Sequence, residues 1–232
     1  MKSSILTFFL SLILATTLAH GAVINVGAVQ SIQTAIDNAS AGDVLNLTAP
    51  VAYNGDFNIT KPLRIVSSLN TNQSINGNLG IQNIPAGQKV TLKNISIGGT
   101  VDINNSSVNL LKCTLNSVIA KDSSLNVLKS SLSASLNATN PSGGDTLFTF
   151  VQSSIIGKLT SKTSRSWIGY SNLRQSSFEG IVEIVGNDFD GNGLGGIGID
   201  LNGSQSVANI HNNKIHDFSG SSSSNISNRY IG

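Results

Sequence analysis

The sequence predicts an all-β parallel β-helix, a solenoid of stacked short strands, with a short N-terminal capping helix. Three observations carry this. Residues 106 to 115 (Ser-Ser-Val-Asn-Leu-Leu-Lys-Cys-Thr-Leu) match 123 to 132 (Ser-Ser-Leu-Asn-Val-Leu-Lys-Ser-Ser-Leu) position by position, 17 residues apart. That offset is too short for a duplicated domain and fits one repeated rung. The core of the pair is an apolar residue, two positions, a small polar residue, one position, and an apolar residue. It recurs from Val90, Leu110, Val127, Phe150, Ile168, Ile184 and Ile210, at steps of 16 to 26 residues. Each copy alternates as a strand does, as in Val108-Asn109-Leu110, and no helical periodicity separates the copies. Roughly eight to ten coils are expected, each hydrogen-bonded to the next about 4.8 Å along the axis. An inner column of Ile, Leu and Val drives the stacking. Leu128 is assigned to that column, so Leu128→Asp should break it.

Met1 to Ala22 reads as a signal peptide: Lys2, an apolar run from Ile5 to Ala15, then Ala19-His20-Gly21 as a small-residue cleavage region. A secreted protein is expected, extracellular, at the cell surface or periplasmic. No later stretch is long and apolar enough to span a bilayer. Without Lys2, 13 basic residues face 12 acidic ones. That near-neutral charge and the lack of a basic cluster exclude a nucleic-acid partner. Cys113 is the single cysteine. It fills the small polar position of its rung, where Ser130 stands in the twin, and reads as a packed thiol.

Residues 23–232 read as one β-helix domain, with an N-terminal cap over about 23–48. Val23 to Val26 is a strand. Ser31 caps a helix from Ile32 to about Ser40, with Ile32, Ala35, Ile36 and Ala39 on one face. Val44 to Leu47 is the next strand. A solenoid end exposes apolar residues and unpaired strands, and this helix covers one. Coils between Ile65 and Gly99 read as irregular. Ala138 to Thr146 and Asp190 to Gly198 read as loops off the side, and Ser219 to Ser224 as a serine-rich turn. No closing cap is legible before Gly232, so a partner, a homo-oligomeric contact through this end, or an incomplete chain is expected.

Ser31-Ile-Gln-Thr-Ala-Ile-Asp-Asn-Ala-Ser-Ala-Gly-Asp-Val-Leu, then Ala52-Tyr-Asn-Gly55, then Ile59-Thr-Lys-Pro-Leu-Arg-Ile65, resembles the opening of right-handed parallel β-helix proteins of the pectin-lyase-like superfamily. Ile184-Val-Gly-Asn-Asp-Phe189 and Ile210-His-Asn-Asn-Lys-Ile215 resemble its coil repeat. The resemblance covers most of the mature chain and, with the crossover rule, implies right-handed winding. For function it implies a wide range: lyases, hydrolases, esterases, tailspikes, adhesins and non-enzymes. The Asn-Thr-Asp, Gly-His-Gly and Arg-Ile-Lys sets of polygalacturonases are absent. So is the Trp-Ile-Asp-His of pectate lyases, for which Trp167-Ile-Gly-Tyr170 lacks both acid and histidine. No catalytic residue carries over.

The residues preceding each frame form a column: Lys89, Asn109, Asn126, Thr149, Trp167, Glu183 and Asn209. In a strand they point away from their apolar neighbours and share one solvent face. Trp167 with Asn109, Asn126 and Asn209 would suit a polysaccharide, ring on sugar and amide on hydroxyl; an ordinary solvated face is the bland alternative. The third frame position (Lys93, Cys113, Ser130, Ser153, Ser171, Asn187, Asn213) suggests a bend bonded up and down the stack. Asp188, Asp190, Asn192 and Asp200 resemble the start of a Ca²⁺ loop with Gly193 at the sharp turn, although position twelve is Ile199 rather than Glu. Gly193-Leu-Gly-Gly-Ile-Gly198 spells a dinucleotide fingerprint but opens no helix, and is rejected. Glu183, Asp188, Asp190 and Asp200, with Arg165 or Arg174 to hold a uronate, are the carboxylates available for glycoside hydrolysis or elimination. Three functions fit: a non-catalytic polysaccharide binder or structural spike, a polysaccharide lyase or glycoside hydrolase, and an adhesin or oligomerising module.

Overall fold

The computed structural model describes residues 21–68, 72–192, 198–201 and 206–218, and the backbone of 226–228. The segments read as signal peptide up to His20, as the Gly-rich stretch 193–197 and as the serine run 219–224 lie outside the described residues. The chain winds through about nine turns of a right-handed parallel β-helix. All described strand pairings are parallel. Each coil contributes to three sheets. The coil at the centre shows the plan: Ser124–Leu128 lies in the first sheet, Ser131–Leu132 in the second and Leu136–Thr139 in the third. In later coils the third sheet runs without a break into the first, as in Leu159–Gly169 and Ser176–Val185.

The twin stretches stack directly, with Asn109 on Asn126 and Leu110 on Val127. Inner columns are apolar and fully buried; one runs Leu45, Ile65, Leu92, Leu110, Val127, Phe150, Ile168 and Ile184. A hydroxyl cluster interrupts the apolar filling. Ser161, Thr163 and Ser166 are buried and bond one another at 2.8–3.0 Å, which satisfies three hydroxyls inside the core.

The helix spans Ile32–Asn38, and Ser31 Oγ accepts from the Thr34 N–H. Ile32, Ile36 and Ala39 join the core. Lys61 Nζ donates to the carbonyls of Asp37 and Ala39, and the Gln33 amide brackets the Asn58 backbone. The buried Tyr53 hydroxyl donates to the Val26 carbonyl. These bonds pin the cap to the coil beneath it.

Three expectations are corrected. The coils between Ile65 and Gly99 are regular: Gln73–Asn76, Leu79–Gln82 and Val90–Lys93 each occupy one of the three sheets. The first frame starts at Leu92, not Val90, because Leu92 pairs with Leu110. Thr91 therefore takes the place given to Lys89, and Ile95 the place given to Lys93. Leu128 faces outward. It pairs with Leu111 and Val151 in a half-buried stripe on the outer face, whereas its neighbour Val127 is 0% exposed. Two adjacent apolar residues, Val127-Leu128, do not reveal which one points inward.

Burying a carboxylate among apolar groups costs far more than placing it at a sheet surface. Val127→Asp should abolish cooperative unfolding, while Leu128→Asp should cost about 1 kcal/mol. Chemical denaturation of the two variants checks this order.

Candidate functional site

The site begins at a bend. Between first and second sheet the coils from Leu92 onward each turn at a residue of positive φ: Asn94, Lys112, Lys129, Gln152, Tyr170, Gly186 and Asn212. Two are Asn, which tolerates the region, and four carry larger side chains (Lys112, Lys129, Gln152 and Tyr170), for which it costs about 1 kcal/mol each. The next residue offsets that cost. The N–H of Cys113 donates to Ser130 Oγ (3.0 Å), Ser130 to Ser153 (3.1 Å), Ser153 to Ser171 (3.2 Å), Ser171 to Asn187 Oδ1 (3.0 Å) and Asn187 to Asn213 Oδ1 (2.9 Å). Each acceptor also donates to backbone carbonyls, as Ser153 does to Val151 and Asn187 to Ile168 and Val185. This is the bonded bend expected from the third frame position. Cys113 heads the ladder, and burial pushes its thiol up to about 11, so it is an inert packing group.

The bend throws side chains outward along a polar groove. One section of about 450 Å³ is lined by Lys112, Lys129, Gln152, Tyr170 and Asn172. It continues at Tyr170 and Asn172 into a section of about 390 Å³ that reaches Asp188, Asn212 and Lys214. The ring of Tyr170 is 61% exposed and lies over Gly186 of the next coil, where an added Cβ would stand 2.9 Å from it.

The outer column of the first sheet stands as read from Asn109 onward: Asn109, Asn126, Thr149, Trp167, Glu183 and Asn209 are paired in sequence. Trp167 is 38% exposed, and its ring lies against Gly169, where an added Cβ would meet it at 3.5 Å. Both exposed rings thus rest on glycine backbone, Trp167 on the sheet face and Tyr170 round the corner from it. Beside Trp167 runs a second outward column, Leu147, Arg165, Ile181 and Val207, in which Ile181 and Val207 are exposed. Arg165 pairs with Asp145 of the 140–146 loop (3.0 Å). At the opposite corner a cavity of about 960 Å³ lies between Pro141, the Lys162–Glu179 ion pair and Val207.

The candidate carboxylates divide among the three faces. Glu183 faces out from the first sheet, 3.7 Å from His211. Asp188 and Asp190 face out from the second sheet on either side of the buried Phe189. Asp200 belongs to the third, paired with Ser177. Arg174 follows the second-sheet strand Asn172–Leu173, round the bend from Trp167. Residues close in sequence are carried to different faces because one coil turns the chain through a full revolution. For the same reason Asp200 does not join Asp188, Asp190 and Asn192, although the Asn192 N–H donates to Asp190 Oδ1 (2.8 Å).

The neighbours that the structure brings to Asp188 and Asp190 come from the following coil. Asp188 pairs with Lys214 and Asp190 with His216. His216 Nε2 lies 2.8 Å from Asp188 Oδ1, and its Nδ1 lies 2.7 Å from Asp217 Oδ2. Asp217 first, then Asp188, raises the imidazole above its ordinary value. Extending the frames that start at Ile184 and Ile210 by one residue past Phe189 and Ile215 would have aligned Asp190 with His216. Tyr170 was likewise readable as the bend residue of its coil. No protein-family model, curated protein or solved structure matches the chain. Among the described residues no helix is long and apolar enough to cross a membrane.

Gly186→Ala drives a methyl group into the Tyr170 ring at a left-handed backbone position. It should cost about 1–2 kcal/mol and alter the tyrosine's near-ultraviolet dichroism. Cys113 should resist a thiol reagent at pH 8 in the folded protein and react fully in denaturant.

Proposed function

We propose that the protein is a secreted, non-catalytic binder of extracellular polysaccharide, built on the pectin-lyase-like plan. The observation that carries this is the pair of exposed rings, Trp167 and Tyr170, each resting on glycine backbone, with Tyr170 in the wall of a continuous polar groove and Trp167 on the adjoining sheet face. An aromatic ring supplies a flat apolar surface at little entropic cost, and the C–H face of a sugar fits it. Amides and hydroxyls of Asn126, Thr149, Gln152, Asn172 and Asn209 supply partners for sugar hydroxyls on either side of the rings. A parallel β-helix repeats this chemistry along its axis, as a polymer repeats its own.

A lyase or hydrolase reading rests on Glu183, which stands next to Trp167 in its column. An adhesin would use the same surface on a cell-borne glycan.

Trp167 is the single tryptophan, so its emission reports on the platform directly. Titration with neutral and acidic polysaccharides should shift that emission for at least one class. Tyr170→Ala should weaken binding about tenfold, the loss of one stacked anchor. Unchanged affinity in Tyr170→Ala and Trp167→Ala, measured calorimetrically, overturns the reading. Shortening of the polymer, lost in Glu183→Gln, replaces binding with catalysis.

A further inference from the structure

We propose that His216, Asp190 and Asp217 form a site for a divalent transition metal of the zinc type, with Asp188 as the residue that positions the histidine. Their three donor atoms lie within 4.8 Å of one another. Coordination by imidazole nitrogen and carboxylate oxygen at about 2.1 Å puts tetrahedral donors about 3.4 Å apart. Closing the cluster therefore needs a movement of about 1 Å, within reach of two exposed carboxylates rotating about their side-chain bonds.

The arrangement is more than a group of acids. His216 is held at both ring nitrogens by carboxylates, Asp217 at Nδ1 and Asp188 at Nε2. A metal that displaces the proton on Nδ1 keeps Asp217 and gains Asp190. The Nε2–H then donates to Asp188, the carboxylate–histidine–metal relation that fixes ring orientation and raises the basicity of the ligand. Asp190 is itself oriented by the Asn192 N–H. Backbone register sets the rest, since Asp190 and His216 are directly paired on adjacent strands. The donor set of one imidazole and two carboxylates favours zinc-type ions over Ca²⁺, which seeks six or more oxygens. Three protein ligands leave a fourth position of a tetrahedral ion for water.

The test is calorimetric titration of full-length, chelator-treated protein with ZnCl₂, and with CaCl₂ in parallel. One zinc per chain is expected, with calcium binding far more weakly. His216→Asn and Asp190→Asn should each remove the binding. Asp188→Asn should weaken it about 10- to 100-fold while keeping one zinc per chain. His211→Asn, at the other described histidine, should leave it unchanged. Circular dichroism of each variant confirms the fold. Absence of zinc binding, equal binding in His216→Asn, or loss only in His211→Asn overturns the proposal. A calcium affinity equal to that for zinc and indifferent to His216→Asn overturns it too.

Discussion

The structure depends on the ladder at the bend. Every coil must change direction between its first and second strands, and from Leu92 onward it does so with a single residue of positive φ. That conformation is unfavourable for Lys112, Lys129, Gln152 and Tyr170. It is held because the next side chain, Ser130, Ser153, Ser171 or Asn187, is buried and accepts the N–H of the coil before it. Each bond contributes about 1 kcal/mol, and each unsatisfied partner would cost more. The apolar columns supply most of the driving force for stacking, but they are non-directional. The ladder is what fixes register, and a slip by one residue would put Leu128 inside and Val127 out.

The same bend makes the surface. A residue in the left-handed region projects its side chain away from both sheets, so a column of such residues walls a groove. In three coils the wall is Lys or Gln and in two it is Asn. At Tyr170 it is an aromatic ring, and the following coil places Gly186 beneath it. Trp167 and Gly169 repeat the pattern on the adjoining face. In that following coil the strand after the bend presents Asp188 and Asp190 against Lys214 and His216 of the next one. Aromatic platform and charged cluster therefore flank the same bend, Trp167 before it, Tyr170 on it, and Asp188, Asp190 and His216 on the strand after it.

Much of this was legible in the sequence. The twin at Ser106 and Ser123 sets the register, and the column from Asn109 to Asn209 follows from period-two alternation. The small polar column is the ladder itself. Facing was not legible where two apolar residues adjoin, as in Val127-Leu128. The coils before Val90 escaped because their side loops vary in length, so Leu92 rather than Val90 matches Leu110. Proximity round the axis was the larger obstacle. Glu183, Asp188 and Asp200 look like a cluster along the chain, yet the winding assigns them to three sheets. His216 lies 28 residues from Asp188 in sequence and touches it in space.

Amide hydrogen exchange, resolved by residue in the ¹⁵N-labelled protein, tests the role of the ladder most directly. The N–H groups of Ser130, Ser153, Ser171 and Asn187 should exchange only through global unfolding, with the protection of the innermost strands. Exchange of these amides at the rate of the exposed 141–145 loop, with the inner strands still protected, would contradict it.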